Sequence, residues 1–512
     1  MYQPCPHFHD RGRPALKTSV ALRFALLVVG VAVPLAWTMG RPPAFDEVNF
    51  LTLARGAVAD PWRPHAVTIN WQGRTESAFA VLSNPPGIGW WLAPVMGLPV
   101  WVQRAWMLPW LVLAAWGSIQ LGQRFIGHAA AGAIVLVASP IVILSATALT
   151  PDAPLYAITL AGMAGYVRAV ERGSGAAPWA LLIGFAAWFR YSGLALWPAV
   201  LLWPFLQRRP LLPALAVVVP TLLLVGHDLA AYGRVHLAAM SAFQAVANTP
   251  LDWGHKAVAS VAMLGGAVVL PVYRWRRRHA VVAALGALAA WPWGPVAMGF
   301  AALGGAALAP ILDMGRQTKE SATTDRIFLA TWALVGCAFL LTLRFTAARY
   351  WLPFLAPVAL LLPLDALRLR LGLGLGLGVL LSLDGALHAR GETALAAEAS
   401  ALGTGGFAGH WGWQGALEAA GWTALDEGTT PEHGTLVAIP QEAWPQRLNV
   451  RCDQVAWAGV ASPPHPGLPR AYSREAAANL HSNWIAGPTP LRTVIPWWFA
   501  RDAYEQARVC AE

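Results

Sequence analysis

Apolar runs recur from residue 19 to residue 387, separated by short segments rich in Gly, Pro and Arg. Each is close to the roughly 20 residues a helix needs to cross a bilayer. The pattern predicts spans at 19–39, 100–121, 129–148, 155–170, 179–189, 194–206, 211–229, 257–272, 327–343, 351–367 and 371–387. The run 281–312 is long enough for two more. The count is therefore about 13 membrane helices. Residues 371–378, Leu-Gly repeated four times, alternate like a strand. In this setting they read as a Gly-rich membrane helix, where small residues allow close packing.

Two stretches break the pattern. Residues 41–98 form a long loop between the first and second spans. Within it, 45–58 has helical periodicity, with Phe50, Leu53, Ala54 and Ala57 on one face. Asn84-Pro85-Pro86-Gly87 breaks the chain, and 88–95 is a second short apolar segment. From residue 388 the hydropathy falls. The segments 434–440 and 454–460 alternate as strands do, and turn dipeptides are frequent.

The fold class that follows is an all-α polytopic membrane protein with a small C-terminal α/β extracytoplasmic domain. A tail at 1–17, a membrane domain at 18–388 and a terminal domain at 389–512 are expected. The motifs discussed below all precede residue 389, so the membrane domain is expected to fold without the terminal one.

Composition supports this class: 56% of the residues are hydrophobic and 12% charged, against about 25% charged in a soluble domain. Mean hydropathy is +0.48. The run 19–39 is too long for a signal peptide and has no clear cleavage site, so it is kept as a span. The formal net charge of +10 is scattered among short loops and does not point to nucleic acid. Arg124, Arg168, Arg172, Arg208, Arg209, the run 274–278, Arg368 and Arg370 all fall on one predicted side. By the positive-inside rule that side, with the N-terminal tail, is cytoplasmic. The loop 41–98 and the C-terminal domain then lie outside an inner (plasma) membrane.

The four cysteines, Cys5, Cys337, Cys452 and Cys510, form no CxxC pair. Cys5, His7, His9 and Asp10 lack the spacing of a metal site; no cofactor is indicated, and a divalent metal is left open without being indicated. Cys452 and Cys510 share the outer domain, where a bridge between them and two free thiols are both open.

Candidate chemistry gathers at the outer ends of the spans. Asp46 and Glu47 follow the first span, Asp152 opens the fourth, Arg190 and Tyr191 join the fifth and sixth, and Arg349 and Tyr350 precede the twelfth. Carboxylates this close to lipid are costly unless solvated or used. Guanidinium groups grip phosphate bidentately, and a nearby carboxylate can take a proton from an attacking hydroxyl.

In order and spacing, these segments resemble the C superfamily of integral-membrane glycosyltransferases (the GT-C fold), near the protein O-mannosyltransferases and lipid A aminoarabinose transferases. The resemblance covers about residues 18–390. It rests on Phe45-Asp46-Glu47, Asn84-Pro85-Pro86-Gly87, Thr150-Pro151-Asp152-Ala153-Pro154-Leu155, Phe189-Arg190-Tyr191-Ser192-Gly193-Leu194 and Arg349-Tyr350-Trp351-Leu352-Pro353. It implies transfer of a sugar, with inversion, from a polyprenyl-phosphate-linked donor to an extracytoplasmic lipid, glycan or protein. Asp46 would be the base, or would orient the acceptor. Glu47 would support it or hold the acceptor. Arg190, Arg349 and Tyr350 would bind the donor phosphate, with Asp152, Asn84 and Tyr191 supporting. Asn84 stands where the family pattern has His or Lys, and Arg74 or Lys256 is a candidate replacement charge. His227-Asp228 is a further polar pair. A many-span transporter or polyprenyl-lipid flippase is the competing reading, although no internal repeat of the kind common in transporters is visible.

Overall fold

The computed structural model describes residues 31–33, 35–71, 73–127, 132, 139–245, 250–268, 277–313, 320–363, 366–463, 465, 467–485 and 490–511. The N-terminal tail, most of the first expected span, part of the third, and Arg274 to Arg276 lie outside them.

Among the described residues five helices are long and apolar enough to cross a membrane: Val100–Ile126, Leu212–Tyr232, Trp291–Leu312, Thr323–Thr342 and Leu367–Ser400. Ala176–Phe189, Tyr191–Leu206 and Ala348–Leu361 are apolar but shorter. Their shortness has local causes. Arg190 is extended (φ −150°, ψ 140°) and separates the first two. The third stops at Leu362 (φ −76°, ψ 145°), the conformation that the following Pro363 imposes. The expected run 281–312 resolves into two helices, Arg277–Ala289 and Gly294–Leu308. Asp152–Arg172 is buried along almost its whole length and forms the axis of the main apolar core with Leu108–Ile126 and Leu352–Leu361.

The Leu-Gly repeat is helical, within Leu367–Ser400. A Cβ at Gly378 would collide with Ile143 of the helix Pro140–Ser145, whereas Gly372 and Gly376 face open space. Gly378 is thus a packing position, and Gly374 of the same repeat is buried as well.

The same helix continues unbroken to Ser400, so the expected boundary at 388 falls inside it. Hydropathy drops there because the partners change from apolar helices to the C-terminal region, not because the helix ends. That region carries a five-stranded mixed sheet in the order 423–424, 406–407, 436–440, 505–511, 454–461. The strand 406–407 runs parallel to both neighbours, and 505–511 runs antiparallel to 436–440 and 454–461. The helix Trp411–Ala419 packs against it. Cys452 and Cys510 form a disulfide across 58 residues. Closing a loop of that length restricts the unfolded chain by about 4 kcal/mol in the chain-entropy model.

The C-terminal region is welded to the helices. Asp384 of the long helix accepts the Ala471 N–H (2.9 Å) and pairs with Arg470 (3.0 Å). Ala471 and Leu480 belong to the main apolar core. Ala478, Val494 and Ile495 pack on Ala259, Ala262 and Phe300. Truncation after residue 388 would strip these contacts and cut the long helix, which argues against the expectation that the helical part folds independently.

Inside the C-terminal region, Glu505 is fully buried. Burial, then the nearby Glu392, push its carboxyl up to about 8 from an ordinary 4.5. A raised carboxyl pKa stabilises the fold fully below the unfolded value, and that stability is lost as pH climbs to the folded value. Thermal unfolding should therefore show Tm falling between pH 5 and pH 8. Glu505→Gln, which keeps an acceptor for the Gln441, Glu442 and Gln506 N–H groups, should flatten that fall.

Candidate active site

Adjacent in sequence, Asp46 and Glu47 point to different environments. Glu47 begins the helix Glu47–Ala59 and is buried. Its Oε1 accepts from Arg41 (2.7 Å), Arg104 (2.7 Å) and the Leu149 N–H (2.9 Å). Its Oε2 accepts from Arg41 (2.8 Å), Arg104 (3.0 Å) and the Ala44 N–H (2.9 Å). Burial opposes ionisation, but Arg104 and Arg41 outweigh it and hold the carboxyl well below its usual range. Every lone pair is engaged, so the geometry supports an anchor rather than the acceptor contact expected for it. Arg104, itself fully buried, also donates to the carbonyls of Arg41, Pro42 and Thr147. An arginine inside an expected span was the available signal for this site, and charge counting at loop ends passed over it.

Asp46 faces outward and pairs with Arg349, its side chain 24% exposed against 8% for the arginine. Burial resists its ionisation, yet Arg349, with His481 and Arg190 further off, brings the carboxyl below its ordinary value. Arg190 pairs with Asp152 (3.2 Å). The Tyr350 ring lies between the two cations, 4.8 Å from the Arg190 guanidinium and 5.6 Å from that of Arg349. Asp152 is the first residue of Asp152–Arg172, where the helix dipole favours a negative charge. Five of the expected residues, Asp46, Asp152, Arg190, Arg349 and Tyr350, thus meet, two carboxylates balancing two guanidinium groups. Asp152 is also the one charged residue lining an apolar crevice formed by Trp110, Leu111, Val142, Ala146, Tyr156 and Leu352.

The expected surface helix is more deeply set than its periodicity implied. Phe50, Leu53, Ala54 and Ala57 are buried, but so are Val48, Asn49, Leu51 and Thr52, because Gly87–Leu92 covers one side and Trp411–Ala419 another. Close backbone approach marks both contacts, at Gly89 against Leu53 and at Gly415 against Val48. Phe45, before the acid pair, has φ +48°, a left-handed conformation that costs a non-glycine residue roughly 1–2 kcal/mol. Aromatic rings from the C-terminal part hold it there: His481 (centroids 4.4 Å apart), His388 (5.0 Å) and Trp411 (5.0 Å). This turn is what sends Glu47 inward and Asp46 outward.

Tyr191 and Asn84 support the site from outside it. Tyr191 donates to Nδ1 of His236 (2.7 Å), whose Nε2–H is donated to the Leu82 carbonyl (2.9 Å). His65 donates to the carbonyl of Asn84 (3.0 Å) and His227 to that of Trp62 (2.9 Å). Asp228 accepts the His236 N–H (3.0 Å). Two imidazoles, His227 and His236, thus pin the 41–98 loop to the helices, while His65 braces the loop internally through the Asn84 backbone. The segment reaches the site because Gly87 lies against the Trp188 carbonyl, where a Cβ would not fit. Neither candidate replacement charge joins the cations: Arg74 is exposed, and Lys256 donates to the Leu341 (2.8 Å) and Leu343 (2.6 Å) carbonyls. Among the described residues no group of three or more His, Cys, Asp or Glu side chains is arranged to hold a metal ion.

No protein-family model and no curated protein matches the chain. Two solved structures of ArnT from Cupriavidus metallidurans align with it. The apo-state structure has 18% identity and a TM-score of 0.41, covering 76% of this chain and 64% of that one. The structure bound to undecaprenyl phosphate has 16% identity and a TM-score of 0.42, covering 83% and 93%. The chain therefore spans less than two thirds of the length of the first. Likeness at this level fixes no residue correspondence.

Removing one partner of a buried ion pair leaves the other uncompensated, at a cost of about 3–5 kcal/mol. Glu47→Gln should lower the thermal unfolding temperature of the detergent-purified protein sharply, through Arg41 and Arg104. Unfolding at the wild-type temperature would mean that Glu47 is not the anchor.

Proposed function

We propose that this chain is an integral-membrane glycosyltransferase of the GT-C type, moving a sugar with inversion from a polyprenyl-phosphate donor to an extracytoplasmic acceptor. The observation that supports this is the meeting of Asp46, Asp152, Arg190, Arg349 and Tyr350 at one end of the helices, beside an apolar crevice. Arg124, bound to Asp325 (2.8 Å), and Arg172 lie at the other ends of Leu108–Ile126 and Asp152–Arg172, about 30 Å away at 1.5 Å per residue. On the positive-inside rule the Asp46 end faces outward.

The charges suit the chemistry. A sugar–phosphate–polyprenyl diester carries one negative charge, and the departing polyprenyl phosphate gains a second. Two guanidinium groups stabilise that developing charge more than they stabilise the bound donor, which is the condition for lowering a barrier. The bond between the anomeric carbon and the phosphate oxygen breaks, its electron pair leaving with phosphate. The acceptor oxygen bonds to the opposite face of that carbon, and its proton passes to Asp46. Arg349 holds Asp46 before the donor arrives. A phosphate drawing Arg349 toward itself frees the carboxylate to act as base. Glu47 acts by position, orienting the Asp46 turn. Asp152 orients Arg190.

Asp46→Asn keeps shape and removes basicity. Turnover of polyprenyl-phosphate sugar should fall by about 10²–10⁴-fold, the usual range for a general base, while donor binding persists. Near-normal turnover would remove Asp46 from that role. Arg190→Ala and Arg349→Ala should each weaken donor binding, and Arg190→Lys should recover only part of the loss, because a point charge lacks the planar fork. Unchanged donor affinity in both alanine variants would place the phosphate elsewhere. A transporter would move the lipid without ever cleaving the sugar–phosphate bond.

A further inference from the structure

His481 comes from the C-terminal region, far in sequence from every motif above. Its placement is built. The preceding Leu480 accepts the Ala348 N–H (3.1 Å) and donates its own N–H to Ala471 (2.8 Å). The His481 N–H is held by Asn479 Oδ1 (2.9 Å). Two residues on, Asn483 accepts the Thr346 N–H (2.9 Å) and contacts His255 (3.2 Å). The loop bearing His481 is thus clamped to the turn that leads into Arg349. One face of the imidazole stacks on Phe45, centroids 4.4 Å apart, and the ring is only half-buried. No hydrogen bond from a described residue reaches either ring nitrogen.

A clamped ring with open nitrogens, in the electrostatic field of both Asp46 and Arg349, is a group set out for a ligand. We propose that His481 is a substrate-binding residue of this site, hydrogen-bonding the phosphate that Arg190 and Arg349 attract; this rests on the glycosyltransferase reading.

The charged and titratable groups acting on the ring are Arg349, Asp46, His388 and Arg41. Burial, then Arg349, lower the imidazole to about 3, so it is neutral at pH 7 with one N–H to donate. A phosphate over Arg349 offsets that arginine, while burial still opposes the imidazolium. His481 therefore meets the phosphate as a neutral N–H donor.

The test uses the full chain in nanodiscs with undecaprenyl phosphate as probe, titrated at pH 8 and pH 6. His481→Phe keeps the stack on Phe45 and removes both nitrogens, so a purely structural role would survive it. His481→Gln keeps a donor without a titrating proton. Wild type should bind about tenfold more tightly than His481→Phe at pH 6, the scale of a hydrogen bond to a charged group. A loss should also be seen at pH 8, because the imidazole is neutral at both values. His481→Gln should fall between wild type and His481→Phe. Equal affinity of wild type and His481→Phe overturns the proposal. If the wild type itself does not bind the probe, the glycosyltransferase reading fails and this inference with it. Wild-type binding alongside indifferent His481 variants overturns the inference alone.

Discussion

The buried carboxylate of Glu47, gripped by two arginines and two backbone N–H groups, is the constraint from which the site geometry follows. It ties together the end of the first span, the start of Val100–Ile126 and the segment leading into Asp152. Burying three charges is expensive, and that expense is offset only because every carboxylate lone pair is satisfied. Strands of chain that enter and leave the helices at separate places are thereby brought to a common point. Asp46 inherits its position from this: with its neighbour anchored inward, it has only the outward direction.

Much of the helical layout was legible because a membrane helix announces itself by local composition. The short pair on either side of Arg190 was legible too, since Arg190 interrupts the run where the structure does; the stop at Leu362-Pro363 was passed over, the expected span running on to residue 367. What escaped was tertiary. Nothing local distinguishes Arg104 as the partner of a residue 57 positions earlier, nor shows that Asp46 and Glu47 diverge, because that depends on Phe45 adopting a left-handed backbone. His481 carries no motif at all. It matters only because a loop in the C-terminal region is clamped beside Arg349. The depth of Glu47–Ala59 escaped for a related reason: its second covering layer comes from residues more than 350 positions away. The pairing of Cys452 with Cys510, left open by spacing, is settled by the strand that sets Cys510 beside Val455 and Val437.

Charge balance explains how the site persists without a ligand. Two guanidinium groups share the Tyr350 ring, an arrangement that would repel on its own. Asp46 and Asp152 neutralise them one apiece. The two acids differ in what they can give up. Asp152 is buried at a helix N-terminus and stays committed to Arg190, whereas Asp46 is the more exposed and the more readily released. An anion entering the site therefore competes mainly with Asp46.

The unbroken helix Leu367–Ser400 has a mechanical consequence. At 1.5 Å per residue it is a rod about 50 Å long, rooted among the apolar helices and ending under the C-terminal sheet. A cover joined through a flexible linker opens like a hinged door. One mounted on a rigid rod, and latched again at Asp384 and at the 480–483 loop, has no hinge to swing on.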